Sequence, residues 1–325
     1  MAFANTSVTD IIATTIQSRS KQIADNVTKN NALLARLNQR GNIRTISGGN
    51  TILEELSFAE NGNAGFYSGY DLLPVATQDV ISAAEFSIKQ LACPVVMSGL
   101  EMLQNSGKEA FIDLLEARIN VAEATMANKL AQSVYSDGTG SSGKEVTGLN
   151  AAVPSANTTG TYGGIDRATW TFWRSQLYDF SNNTVTPSAT TIQNGLNTLW
   201  ASLVRGADRP DLIILDNTYW SYYMSSLQAL QRFADPSTGN LGFPTLKFMD
   251  ADVVLDGGIG GYCPAATGFM LNTKYISLRP HKDRNMVSLS PSKRYAINQD
   301  AEVQILGWAG NLTCRGAQFQ GRIQN

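Results

Sequence analysis

The residues with the plainest chemical potential are Gly138-Thr139-Gly140-Ser141-Ser142-Gly143-Lys144-Glu145, which fit G-x-G-x-x-G and nearly fit G-x-x-x-x-G-K-[ST]. In a phosphate cradle of that kind, backbone amides wrap the phosphates, the lysine reaches them and the final hydroxyl holds magnesium. Further along, Leu212-Ile213-Ile214-Leu215-Asp216 resembles the apolar strand ending in an acid that completes such a site. Two features count against it. Glu145 occupies the hydroxyl position and would aim a carboxylate at phosphate. The run also leaves a helix and enters Thr147-Gly148-Leu149-Asn150, whereas a cradle needs strand, loop and then helix N-terminus. The expectation is a surface loop, with a P-loop enzyme as the different-class alternative.

Other catalytic chemistry finds little support. The single histidine, His281, stands in the basic turn Arg279-Pro280-His281-Lys282 and cannot supply a zinc site or a triad by itself. Cys93, Cys263 and Cys314 are far apart, odd in number and form no C-x-x-C pair, so they read as small buried hydrophobes in a reducing compartment. Trp170, Trp173 and Arg174 could stack on bases, but a core or sheet-edge role is expected. No catalytic residue, cofactor or metal is expected. The chain has 325 residues, 43% apolar and 16% charged, with a net charge of −2. That composition describes a folded chain of two lobes or one elaborated domain, without the basic character of an avid DNA binder. No apolar run approaches the ~18 residues of a membrane span, and the first positive charge is Arg19, so neither a signal peptide nor a membrane partner is expected.

Charge is sorted along the chain. From Thr45 to Ile88 there are six carboxylates (Glu54, Glu55, Glu60, Asp71, Asp79, Glu85) and no Lys or Arg. Residues 1–44 carry six basic side chains against two acidic, and residues 274–325 carry eight against three. Such segregation can steer one copy of a chain onto another. The acidic block interleaves Phe58, Phe66, Tyr67, Tyr70, Leu72 and Leu73, and a free loop gains nothing from exposed aromatics, so an intermolecular contact is expected.

The elements that must position this block follow from periodicity. Residues 7–40 predict an amphipathic helix, with Ile12, Ile16, Ile23, Val27, Leu34 and Leu37 at helical spacing and Gly41 at the C-cap position. Its narrow apolar stripe suits another surface better than a core of its own. Residues 45–90 predict a long irregular hairpin, which is marginal alone and needs a partner. Ser106 to about Tyr135 predicts a long helix with Phe111, Leu115, Ile119, Ala122, Met126 and Leu130 on one face, ending at Asp137-Gly138. Trp170 to Phe180 reads as an aromatic strand. A helix from Thr186-Pro187-Ser188 to Gly206, a strand at Leu212–Leu215, a helix over 218–233 and strands near 245–255 and 269–278 follow. The stretch 151–282 therefore predicts an α/β lobe, and the C-terminal run predicts β structure.

Helical arm, hairpin arm, long helix, α/β lobe and β-rich end follow one another in the order that resembles the major capsid proteins of tailed double-stranded-DNA bacteriophages, the Hong Kong 97 fold. Lys144-Glu145-Val146-Thr147-Gly148-Leu149, Tyr162-Gly163-Gly164-Ile165-Asp166-Arg167, Trp173-Arg174 and the ending Gly307-Trp308-Ala309-Gly310-Asn311-Leu312 through Gly321 are similar to coat-protein phrasing. The resemblance implies an α+β chain with an N-arm (1–44), an extended loop (45–90), a peripheral domain (91–150 and 283–325) with spine helix 106–135, and an axial domain (151–282). It implies a non-enzymatic subunit of an icosahedral shell, assembled in the bacterial cytoplasm as hexamers and pentamers around double-stranded DNA contacted nonspecifically. Separate scaffolding, portal and decoration proteins are expected partners, and a nanocompartment shell is the nearer alternative. Some relatives crosslink through a lysine on the extended loop; this loop has none, so its contact is expected to be noncovalent. The residues expected at the contact are Glu54, Glu55, Glu60, Phe66, Tyr67, Tyr70 and Asp71 on the loop. Arg279, Lys282, Arg284, Lys293 and Arg294 are expected on the receiving surface.

Overall fold

The computed structural model describes residues 31–100, 108–229, 245–257, 261–289, 294–295 and 300–325. Ile12, Ile16, Ile23 and Val27 of the expected arm helix, Ser106 and Lys293 lie outside the described residues, as do the side chains of Phe111, Leu115 and Arg294.

Helix α1 spans Ala32–Gln39. Asn31 caps it, its Oδ1 accepting from Leu33 N at 2.9 Å and Leu34 N at 3.3 Å. It closes with Asn42 N donating to Leu37 O and Gly41 N to Asn38 O, and Gly41 has φ +67°, where a side chain would be strained. Against expectation, this part of the arm lies on its own chain. Leu33, Leu34 and Leu37 are buried in the main core. Arg36 pairs with Asp211 at 2.9 Å and Asp252 at 3.4 Å, and Arg40 pairs with Asp211 at 3.2 Å. The helix is pinned by apolar burial below and by charge at its edge.

Strands β1 (Thr51–Ser57) and β2 (Ile81–Ser87) pair antiparallel in the register Ile52↔Phe86, Glu54↔Ala84 and Leu56↔Ser82. Strand β3 (Lys89–Ser98) follows almost at once. Helix α2 (Lys108–Ser133) is 26 residues long, about 39 Å at ~1.5 Å per residue. Ile119, Ala122, Met126 and Leu130 of the expected stripe are buried. A tight hairpin then joins β4 (Thr161–Tyr162) to β5 (Ile165–Asp166). Gly163 and Gly164 turn it with φ of +58° and +79°, the positive pair that short hairpins require.

The largest sheet has six strands in the order β6-β15-β10-β7-β9-β8: β6 (Gln176–Asp179), β15 (Gly321–Gln324), β10 (Thr267–Leu271), β7 (Leu212–Leu215), β9 (Ala251–Leu255) and β8 (Thr245–Phe248). Both faces are covered, which is why β7 is apolar at every position. Ile213 and Leu215 face α3 (Ile192–Leu203) and α4 (Asn217–Ala229), whose Leu196, Leu199, Tyr219 and Tyr223 share that core. Leu212 and Ile214 face the core that α1 and α2 enter. The second sheet is built on the 14-residue strand β14 (Ala301–Cys314), which pairs with β3, β11 (Ile276–Pro280), β12 (Val287–Ser288) and β13 (Arg294–Tyr295).

Two expectations are revised. The lobes exchange strands: β11, expected in the α/β lobe, pairs with β14, while the C-terminal β15 crosses into the six-stranded sheet, parallel to β6 and antiparallel to β10. Without β15 both β6 and β10 would leave a ladder edge unpaired. The run from Trp170 is also not one strand. Thr171–Trp173 forms a 3-10 turn before β6, because Trp173 turns inward, fully buried, and its Nε1 donates to Tyr162 O at 2.8 Å.

Candidate contact arm

The acidic hairpin divides into a root and a tip. Along β1 burial alternates strictly: Ile52, Glu54 and Leu56 face inward, and Leu53 and Glu55 face outward. On β2, Ala84 and Phe86 complete the inner face. Glu85 N donates to Gly163 O at 2.9 Å, and a Cβ on Gly163 would stand 2.9 Å from the Phe86 ring. The absent side chain lets the hairpin root seat against the β4–β5 turn. Phe58, just beyond β1, sits among Trp170 (5.6 Å between ring centroids) and Phe172 (5.8 Å). The root is therefore built into the subunit.

Glu54 goes with the root. Its Oε1 accepts from Arg279 Nε at 2.7 Å and from Thr313 Oγ1 at 2.9 Å, and its side chain is 8% exposed. Two residues expected to meet across a subunit boundary meet inside one chain instead. The period-2 pattern decides it, since Glu54 falls between Ile52 and Leu56 on the buried face. A buried carboxylate needs a cation and hydrogen-bond donors, and Arg279 and Thr313 supply them.

The tip, residues 59–80, has no strand. Phe66, Tyr67, Tyr70, Leu72, Leu73 and Val75 are all exposed, Leu72 at 97%. Glu55, Glu60 and Asp71 are exposed as well. Local hydrogen bonds shape the segment: Ala64 N donates to Asn61 O, Ser68 N to Asp71 Oδ2 at 2.8 Å, and Asn63 Nδ2 to Ala76 O. These bonds hold turns but bury nothing. Monomeric proteins rarely expose so many neighbouring apolar side chains.

The expected receiving residues separate too. Lys282 and Arg284 are exposed, and Arg284 donates to Gln90 Oε1 at 3.1 Å. They lie at one end of the second sheet, where His281 N donates to Ala309 O and Ala309 N to Arg284 O. Lys89 is paired in register with Gly310 nearby, and its Nζ donates to Gly143 O. Arg294 contributes backbone to β13, opposite Val303. His281 Nδ1 accepts from Asp283 N at 3.2 Å in this same turn.

The phosphate-cradle candidate is a loop folded back on the end of α2. Gly148 N donates to Ser136 O and Leu149 N to Val134 O. Ser141 and Ser142 have φ of +52° and +58°, and Glu145 accepts from Ser136 Oγ at 2.7 Å. Asp216 caps α4, its carboxylate accepting from Tyr219 N, Thr218 N and Ala266 N at 3.0, 3.3 and 2.9 Å. Neither half has the geometry of a nucleotide site. Burial pushes the Cys314 thiol up to about 12, an inert group inside the core. Among the described residues no helix is long and apolar enough to cross a membrane.

No protein-family model matches the chain, and no curated protein matches it in sequence. Solved structures do match. A cyanophage A-1(L) capsid subunit aligns with a TM-score of 0.60 at 17% identity, over 88% of this chain and 92% of that one. The capsid of a native GTA particle aligns with a TM-score of 0.60 at 12% identity, over 89% of each chain. A chain of Mycobacterium phage Bobi aligns with a TM-score of 0.55 at 13% identity, over 90% of each. About nine-tenths of the chain is covered each time. The chain has the fold of phage capsid proteins, the Hong Kong 97 fold.

Proposed function

We propose that this chain is the structural subunit of a phage capsid, closing into a shell by laying the tip of its hairpin on a neighbouring copy. The observation that carries the reading is the tip itself: six large apolar side chains exposed on a segment whose root is anchored in the subunit. The shared fold with capsid subunits supports it. Burial at about 25 cal/mol per Å² of apolar surface supplies most of the adhesion. Glu55, Glu60 and Asp71 set register against a basic surface that includes Lys282 and Arg284, because exposed ion pairs give only ~0–1 kcal/mol each. Arg294 and Lys293 belong to the same reading, whereas Glu54 and Arg279 are removed from it by their mutual pairing. A shell packed with double-stranded DNA, with separate scaffolding, portal and decoration proteins, completes the proposal.

Negative-stain microscopy and sedimentation of the expressed chain test it. Closed angular shells or capsomer rings are expected. Replacing Phe66, Tyr70 and Leu72 together by Ser is expected to leave a folded subunit that no longer forms them. Shells from that variant at wild-type yield would overturn the contact, and shells loaded with an enzyme cargo in place of DNA would favour a nanocompartment.

A further inference from the structure

An asparagine followed by glycine can react with its own backbone. The glycine amide nitrogen attacks the asparagine carboxamide carbon, and glycine has no side chain to block the approach. The chain contains two such pairs, Asn61–Gly62 and Asn194–Gly195, and the fold treats them in opposite ways. Asn194–Gly195 lies inside α3, where Gly195 N donates to Thr191 O at 3.1 Å. Its neighbours Tyr178, Ile323 and Phe180 stand 3.0–3.1 Å from where a Gly195 Cβ would be, so the backbone has no room to swing. The two Asp-Gly pairs are held as well. Gly138 N donates to Ser136 Oγ at 2.9 Å while Asp137 Oδ1 accepts from Thr139. Asp256 Oδ2 accepts from Tyr135 and Asn31.

Asn61–Gly62 has no packed helix around it, and of those bonds it shares only the side-chain turn that Asp137 makes with Thr139. Both residues are exposed at the tip of the hairpin. Asn61 Oδ1 accepts from Asn63 N at 3.0 Å. Among the described residues no acceptor holds the Gly62 N–H. We propose that Asn61–Gly62 is a self-modification site that converts a neutral side chain at the tip of the acidic contact arm into a carboxylate. The Gly62 nitrogen bonds to Asn61 Cγ and loses its proton, and the side-chain nitrogen leaves as ammonia. Water then opens the resulting five-membered imide at either carbonyl, giving aspartate or isoaspartate. The net change is amide plus water to carboxylate plus ammonium, with no redox partner. Residues Thr45–Ile88 gain one carboxylate beyond their six. The isoaspartyl product also lengthens the backbone inside the turn that Ala64 N→Asn61 O closes at 3.1 Å. Resting on the contact reading above, a tip docked on a neighbour is shielded from water and held in its turn. Conversion is then a mark of subunits left unassembled.

The experiment incubates the purified full chain in mildly alkaline buffer, then maps peptides by mass spectrometry and by isoaspartyl methyltransferase labelling. Conversion at Asn61 is expected to outpace Asn194 by more than about tenfold, since α3 must open first and each ~1.4 kcal/mol of opening is a factor of ten. In urea the two rates are expected to converge. Gly62→Ala is sterically allowed, its nearest contact being Gln78 Oε1 at 3.4 Å, and is expected to slow Asn61 alone. An intact Asn61 in the folded chain, with both sites reacting in urea, would overturn the proposal. Assembled particles form the second arm. Slower conversion there supports shielding, whereas equal rates leave the chemistry standing and sink the docking of the tip.

Discussion

The root and the tip of the hairpin have similar compositions and opposite fates. Both mix carboxylates with large apolar residues. In the root, two paired strands present alternate side chains to the subunit, so Ile52, Leu56 and Phe86 reach the core and Glu54 is carried in with them. In the tip there is no ladder to sort inward from outward, so the apolar side chains stay exposed beside the acids. Composition marks the whole segment as unusual, but pairing decides which half belongs to this subunit and which half is left for another.

The largest effect is expected at Glu54. Glu54→Lys leaves Arg279 facing a second cation at a buried site, and removing one partner of a buried pair already costs about 3–5 kcal/mol. Insoluble or unfolded chain is expected, measured by soluble yield and circular dichroism. Glu55→Lys, one residue away on the outer face, is expected to change subunit stability by no more than about 0.5 kcal/mol while lowering shell yield by sedimentation. Equal folding defects in the two variants would erase the distinction between root faces.

A smaller effect probes the seat of the root. Gly163→Ala puts a Cβ 2.9 Å from the Phe86 ring and forces an L side chain to φ +58°. A loss of about 1–3 kcal/mol is expected in urea melts. If Gly164→Ala, at φ +79° with open space around it, costs as much, then backbone strain rather than the Phe86 contact seats the hairpin.

The smallest effect lies where α1, α2 and the six-stranded sheet meet. Tyr135 and Asn31 both donate to Asp256, yet burial holds this carboxyl above its ordinary range. Titratable Tyr135 and Cys263 face it, with Asn31 as the neutral donor. A folded-state pKa raised in this way favours folding below the ordinary carboxylate value of about 3.9, and that stability is lost as pH rises through the folded value. Asp256→Asn is therefore expected to gain on the wild type as pH rises through this window, in melting temperatures taken by calorimetry. A constant difference across pH would remove Asp256 as the group responsible.

Much of the arrangement was legible from spacing. The stripe of α2, the all-apolar β7 and the glycine after α1 each follow from one local rule, and their order along the chain suggested the capsid fold. Glu54 was partly legible, since the alternation Ile52-Leu53-Glu54-Glu55-Leu56 already sets it on the apolar face, but its charge suggested the opposite. The exchange of β11 and β15 between sheets was not legible, because strands distant in sequence carry no signal of which open edge they fill. Nor was the docking of α1, whose arginines look free until Asp211 and Asp252 are placed beside them.

The sequence by itself determined that α2, α3, α4 and β7 form where they do, and that the hairpin is acidic and lysine-free. These depend on residue type and near-neighbour period, which act over a few residues. Tertiary structure alone decided that Glu54 answers Arg279 of the same chain, that α1 is held down, and that the exposed tip starts after Phe58. Those outcomes depend on which surfaces distant segments bring together, and on the cost of burying a charge without its partner.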